Sequence, residues 1–305
     1  MKQLFTFITL ALLCTVATAQ NDSALILKTD TTKPVVQSAD TIRVGNIIII
    51  KKAGQKNDSG TNNTTVTIDK KRSKKLSNVS TNWGIADIGF TNLIDKTNYA
   101  SATSGQYLLN RPGTNLPLNA SDFKLRASKS VNVNIWFFMQ RLNLVKHHIN
   151  LKYGLGIELN TYRFSSDISF KEAGVSAYNS ATAIQHAFII RDSISFSKNK
   201  LAADYVTVPI LLNFCSNPGN PKKGLSFSAG ISAGYLYSQR NKQESKERGK
   251  QKNKGEYDME QFKFSYIAEL GLGPVRLYGS YSPKSIFTNG LNMRPYTFGV
   301  RLSNW

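Results

Sequence analysis

Eight segments of this chain alternate apolar and polar residues with a period of two, and the connections between them alternate between short and long. In Phe262-Lys263-Phe264-Ser265-Tyr266-Ile267-Ala268-Glu269-Leu270, one face carries Phe262, Phe264, Tyr266, Ala268 and Leu270 and the other Lys263, Ser265 and Glu269. Leu225 to Tyr237 sets Phe227, Ile231, Tyr235 and Tyr237 against Ser226, Ser228, Gly230, Ser232 and Gly234. Ile149 to Leu159 sets Leu151, Tyr153, Leu155 and Ile157 against Asn150, Lys152, Gly154, Gly156 and Glu158. A helix needs a period near 3.6, whereas period two places successive side chains on opposite faces of a strand.

Strands are predicted on this basis over 83–91, 128–142, 148–164, 202–214, 224–239, 261–272, 274–282 and 294–304. Tight turns fall near Leu144-Val145-Lys146-His147, through Asn217-Pro218-Gly219-Asn220-Pro221, and through Gly271-Leu272-Gly273-Pro274. Long connections fall at about 92–127, 165–201, 240–260 and 283–293. An even count of strands joined in that rhythm predicts an all-β, antiparallel, up-and-down barrel, and short turns at one end with long loops at the other are a property of outer-membrane barrels. A soluble barrel of the lipocalin type competes with the membrane form, and alternation alone does not say which face points outward. Composition favours the membrane form. The polar faces are rich in small residues and carry few charges: Asp87, Lys152, Glu158, Lys263, Glu269, Arg276 and Arg301. The apolar faces are large and aromatic, as lipid-facing girdles are. Charges placed inside a narrow barrel are expected to pair, because an unpaired buried charge is costly. Trp136 and Phe138 are expected to help fill the lumen, since eight strands enclose room for side chains or one small ligand.

The ends and the charge set the expected location. Lys2, the apolar stretch Leu4 to Val16 and the small residues of Ala17-Thr18-Ala19 read as a cleaved export signal over 1–19. A membrane helix would need roughly 20 apolar residues, and a lipoprotein signal would use Cys14, with bulky Leu13 where a small residue is expected. Removal of Cys14 leaves only Cys215, so no intramolecular disulfide is expected, and Cys215 is read as a packing residue. The net charge of +20 would suit nucleic acid in another compartment. For an exported chain, acidic lipid headgroups, phosphorylated lipopolysaccharide or anionic glycans are the plausible counter-charges.

Residues 20–80 read as a mostly disordered, basic periplasmic linker, too poor in apolar residues to offset the entropy of ordering. Within it the β-branched run from Thr41 to Ile50 is expected to pair with Thr65-Val66-Thr67-Ile68 or to add an edge strand elsewhere. The run Lys70-Lys71-Arg72-Ser73-Lys74-Lys75 reads as a solvated tether or a binding patch. In the fourth strand Pro209 removes a ladder hydrogen bond and predicts a bulge or an edge position.

The closing segment Arg294-Pro295-Tyr296-Thr297-Phe298-Gly299-Val300-Arg301-Leu302-Ser303-Asn304-Trp305 resembles the last strand of outer-membrane barrels, with Trp305 out of phase with Tyr296, Phe298, Val300 and Leu302. Asn82-Trp83-Gly84, Tyr153-Gly154-Leu155-Gly156 and Tyr205-Val206-Thr207-Val208-Pro209-Ile210-Leu211-Leu212 follow in order before it. With these motifs, residues 81–305 resemble the porin-family outer-membrane β-barrel proteins common in Bacteroidetes. The resemblance implies an eight-stranded transmembrane barrel of the small OmpA/OmpX type and a last strand read by the barrel-assembly machinery. Asp22-Ser23-Ala24, Asp30-Thr31-Thr32 and Asp40-Thr41-Ile42 resemble the O-glycosylation sites of exported proteins of that group.

No catalytic, cofactor-binding or metal site is expected. His147 and His148 fall in a turn and His186 in a long loop, without Cys or carboxylate at metal-ligand spacing. An enzymatic barrel would have to draw on His186, Asp192 and Ser193, which share one loop. The stretch from Arg240 to Lys250 reads either as a solvated, mobile loop or as a cationic surface for lipopolysaccharide phosphates. The expected role is structural or surface-interacting, as a monomer in contact with outer-membrane lipids and lipopolysaccharide, with no nucleic acid. A narrow channel for small solutes is the alternative.

Overall fold

The computed structural model describes residues 40–44, 47–51, 76–110, 116–176 and 179–303, which fall in two units, 1–74 and 75–305. In the first unit β1 (Asp40–Val44) pairs antiparallel with β2 (Ile47–Lys51), Val44 opposite Ile47. The β-branched run folds back on itself; the expected partner segment 65–68 lies outside the described residues. Gly45-Asn46 separates the halves, and such a pair suits a two-residue hairpin connection. The basic run 70–75 also lies outside the described residues.

The second unit is a closed ring. Its walls are β3 (Val79–Asp95), β5 (Val131–Val145), β6 (Ile149–Phe164), β11 (Lys198–Cys215), β12 (Leu225–Ser245), β14 (Phe262–Leu272), β15 (Val275–Tyr281) and β16 (Met293–Leu302). Each pairs antiparallel with the next, and β16 returns to β3, with Phe298 opposite Phe90. These are the eight predicted strands in the predicted order. Closure leaves no sheet edge in the ring.

The short connections are built as their residue types require. Lys146 and His147 adopt φ of 45° and 61° in the β5–β6 turn, where the His148 amide donates to the Val145 carbonyl at 2.9 Å. Gly273, at φ 63°, and Pro274 link Leu272 to its partner Val275. A 3₁₀ turn over Pro221–Lys223 closes the β11–β12 connection.

The long connections carry structure of their own. Between β3 and β5 lie α1 (Tyr99–Ser104), capped by the Asn98 side chain, and β4 (Leu108–Leu109). Between β6 and β11 lie β7 (Ile168–Lys171), β8 (Gly174–Ser176), β9 (Asn179–Ile184) and β10 (Phe188–Arg191). β10 joins β4 and β7 in a three-stranded sheet. The expected mobile loop from Arg240 is instead the continuation of β12, which turns into β13 (Gly249–Lys254) and pairs Arg240 with Lys254.

Two local irregularities reset which residues face inward. In β5 the register with β6 shifts between Trp136 and Phe138, and at the same level β3 passes through Gly84 at φ 66°. Trp136 and Met139 both point inward as a result, and Phe138 lies outside against Trp83, ring centroids 5.9 Å apart. The expectation that Phe138 fills the lumen is thereby corrected. In β12 the register with β11 shifts at Tyr237, between the pairs Asp204–Ser238 and Tyr205–Leu236. Beyond it the inward residues become Asn241, Gln243 and Ser245. Pro209 produces neither a bulge nor an edge. It holds its place opposite Ser232, and only the ladder to β6 is interrupted, between Thr207–Gly156 and Ile210–Tyr153.

Candidate functional site

The strand alternation turns Asp87, Lys152, Glu158, Lys263, Glu269 and Arg301 into the ring, and there they pair. Arg301 clasps Asp87 through Nε to Oδ1 at 2.6 Å and Nη2 to Oδ2 at 2.7 Å, with 6% and 0% of the two side chains exposed. Arg301 also contacts Glu269, which in turn contacts Lys152, and Lys263 contacts Glu158. Three carboxylates thus meet three cations: the chain Asp87–Arg301–Glu269–Lys152 crosses from β3 through β16 and β14 to β6, and Lys263–Glu158 forms a separate pair between β14 and β6. Such a cluster is tolerated only if the remaining hydrogen-bonding capacity is used. Trp136 Nε1 donates to Asp87 Oδ2 at 2.8 Å and Asn134 Nδ2 to the same oxygen at 3.2 Å. Asn160 Nδ2 donates to Glu158 Oε1 at 3.0 Å, and Tyr278 Oη donates to Asn132 Oδ1 at 2.6 Å. Gly156 lies opposite Trp136, and a Cβ there would come within 2.7 Å of the indole ring. Between Trp136, Glu158, Glu269 and Arg301 lies a cavity of about 30 Å³, enough for roughly one water.

Toward the long-loop end the interior changes character. Tyr162 and Phe164 of β6, Leu201, Ala203 and Tyr205 of β11 and Leu236 of β12 turn inward and meet side chains from the loops. Phe170 stands at the centre of this core, stacked on Phe287 at 6.1 Å and packed against Phe164 at 5.4 Å and Tyr257 at 6.2 Å. Leu108, Ile168 and Ile189 bring the three-stranded loop sheet into the same core. On top, Asp192 ties β7, β10 and the β12–β13 hairpin together. Burial alone would raise its carboxyl, but Ser169 Oγ (2.8 Å), the Ile194 amide (3.2 Å) and Arg248 Nη1 (3.1 Å) hold it below its usual value.

The outer face decides between the two kinds of barrel. Around the lower ring it is apolar: Ile88 and Phe90 on β3, Val208 and Ile210 on β11, Phe227 and Ile231 on β12, Phe264 and Tyr266 on β14, Leu277 on β15, Phe298 and Val300 on β16 are all exposed. Charges inside and hydrocarbon outside reverse the order of a water-soluble barrel and match a membrane-spanning one. The family model described as outer membrane protein beta-barrel domain matches residues 97–291. This chain belongs to the outer-membrane β-barrel family. No match was found among curated proteins. Among solved structures the chain is similar to Ail, the attachment invasion locus protein of Yersinia pestis, alone and in complex with the heparin analogue sucrose octasulfate. Identity is 11% over 72% of this chain and 99% of Ail, with TM-scores of 0.27 for the complex and 0.25 for Ail alone. Scores of that size carry nothing further.

In this outer-membrane barrel the residues considered for catalysis do not converge. His186 stacks on Tyr107, ring centroids 4.0 Å apart, whereas Asp192 lies past the far end of β10 and is committed to Ser169, Ile194 and Arg248. Ser193 is exposed. Cys215 is a buried free thiol at the turn end, where its backbone pairs with His148. The charged lumen residues were legible from alternation. The amide network is less conspicuous in the sequence, although Val131-Asn132-Val133-Asn134 shows the same alternation with asparagine as its polar member. Trp305 lies outside the described residues.

Proposed function

We propose that this outer-membrane barrel is a non-conducting, non-enzymatic protein with a structural or surface-interaction role, its lumen filled and its long loops turned outward. One observation carries the reading: the Lys152–Glu269–Arg301–Asp87 chain spans the interior beneath a core built around Phe170. An ion crossing the ring would have to displace paired, buried charges and then an apolar plug, and both are expensive steps. The separation of His186 from Asp192 supports the absence of hydrolytic or acyl-transfer chemistry.

In the same reading residues 1–19 direct export and residues 20–80 tether a barrel that begins near residue 81. The β16 strand is the segment recognised by the barrel-assembly machinery. Lipid contact all round the ring suits a monomer, and the family is the porin-like one of Bacteroidetes. Planar-bilayer recording of the purified full-length chain tests the central claim. Absence of stable unitary steps is expected. Steps abolished by a pore-blocking loop antibody would overturn it in favour of a narrow solute channel.

A further inference from the structure

Above the apolar belt the outer face of β6, β11, β12 and β13 carries a row of cations set by strand register. Arg163 lies opposite Lys200, Lys200 opposite Lys242, and Lys242 opposite Lys252. With strands roughly 4.8 Å apart, the row is about 14 Å long. Like charges placed directly opposite one another destabilise a sheet. The neighbouring rows are relieved by carboxylates: Lys198 pairs with Glu244 at 2.8 Å, and Arg240 contacts Asp204. Among the described residues, no carboxylate stands in the Arg163–Lys252 row. Arg163 Nη2 donates to the Ser197 carbonyl at 2.9 Å, but its Nε is buried and donates to nothing. Burial, together with Arg163, Lys198, Lys242 and Lys129, pushes the Lys200 ammonium below the usual lysine range.

The row also has a fixed height relative to lipid. Arg163 shares the outward face of β6 with Leu159, four residues before it, so it stands about 13 Å further along the strand, or about 10 Å along a barrel axis inclined as in other barrels. On β12, Tyr235 and Tyr237 are the last exposed aromatics before Arg240 and Lys242. Aromatic residues of this kind mark the boundary with the headgroups. The row therefore faces sideways into the headgroup layer rather than up into solution.

We propose that the Arg163–Lys200–Lys242–Lys252 row binds the phosphate groups of a phosphorylated glycolipid of the outer leaflet, a lipopolysaccharide-type headgroup. The proposal rests on the reading that the long loops face outward, and it gives the surface role a partner and a place. Several phosphates on one headgroup match a row of this length, and a bound headgroup removes the repulsion between neighbouring cations.

The full-length chain in detergent micelles is titrated with lipopolysaccharide, with the same lipopolysaccharide dephosphorylated, and with soluble heparin, at low and high salt. Native protein is expected to bind the phosphorylated lipid at least tenfold more tightly than the other two. Lys200→Gln/Lys242→Gln should weaken that binding about tenfold, whereas Lys146→Gln/Lys223→Gln, which removes equal charge at the turn end, should not. Without lipid the first variant should melt higher than native protein, because the repulsion is gone, and it should gain less from added lipopolysaccharide. Equal binding by both variants, or indifference to dephosphorylation, overturns the proposal. Tighter binding of heparin than of lipopolysaccharide overturns the lipid as occupant. Heat-modifiable gel mobility is read on every sample, so that loss of the barrel itself is distinguished from loss of the phosphate site.

Discussion

Along β6 the lower and upper halves of the barrel are opposite in sign. Below, Leu151, Tyr153, Leu155, Ile157 and Leu159 face outward while Lys152, Glu158 and Asn160 are buried inside. Above, Arg163 faces outward while Tyr162 and Phe164 are buried inside. β11 repeats the exchange, from Val206 and Val208 outside with Asn213 inside to Lys200 outside with Leu201 and Tyr205 inside. The same backbone ladder serves both halves, and only the surrounding medium differs. Hydrocarbon accepts apolar side chains and excludes charge, so the spanning half keeps its charges within and must pair them. Hydrated headgroups and the water beyond them reverse both preferences, so the projecting half has an ordinary apolar core.

The two halves should therefore fail by different routes. The largest effect is expected from Arg301→Ala, which strands Asp87 without a cation in the lumen and leaves Glu269 with Lys152 alone. Breaking a buried ion pair costs about 3–5 kcal/mol, and this variant breaks two at once, orphaning Asp87. Urea unfolding in detergent, followed by the heat-modifiable gel shift, should show the spanning barrel itself destabilised. Phe170→Ala removes the ring at the centre of the upper core and should cost about 3–4 kcal/mol there. Limited proteolysis should cut the long loops faster while the gel shift of the spanning barrel stays close to native. If both variants lose the gel shift equally, the halves are one cooperative unit and the contrast between them is broken.

A smaller effect separates them by pH. Asp192 is held below its usual value of 3.8, so its contribution to the loops is present throughout the neutral range. That contribution is lost only as pH falls through the depressed folded value. Protease protection of the β7–β10 and β12–β13 segments should be flat from neutral pH down to the ordinary aspartate range and decline below it. In Asp192→Asn the protection should be weaker at neutral pH by about 1 kcal/mol and should lack that decline. A decline beginning near neutral pH would point to another group.

Strand number, order and turn positions were legible in the sequence because each depends on local chemistry. Period two in Phe262 to Leu270, Gly273-Pro274 between strands and the long polar connections needed no knowledge of distant residues. Two things read less well from the same rules. At Phe137 and Tyr237 a single extra residue inverts the alternation, and nothing local to Trp136-Phe137-Phe138 marks which aromatic turns inward. The stretch from Arg240 to Lys254 looks like a solvated loop by composition, but opposite β11 and backed by Gln243 and Asn241 it is a strand and a hairpin.

The sequence by itself thus determined that the chain makes eight alternating strands with charges on one face and aromatics on the other. It also supplied three carboxylates and four cations, Arg276 among them, for the polar faces of those strands. Only the tertiary structure decided which face encloses the lumen, that Arg301 reaches both Asp87 and Glu269, and that the sign of the wall reverses above Leu159. These are relations between strands far apart in the chain, and alternation specifies a difference between two faces without specifying which medium each will meet.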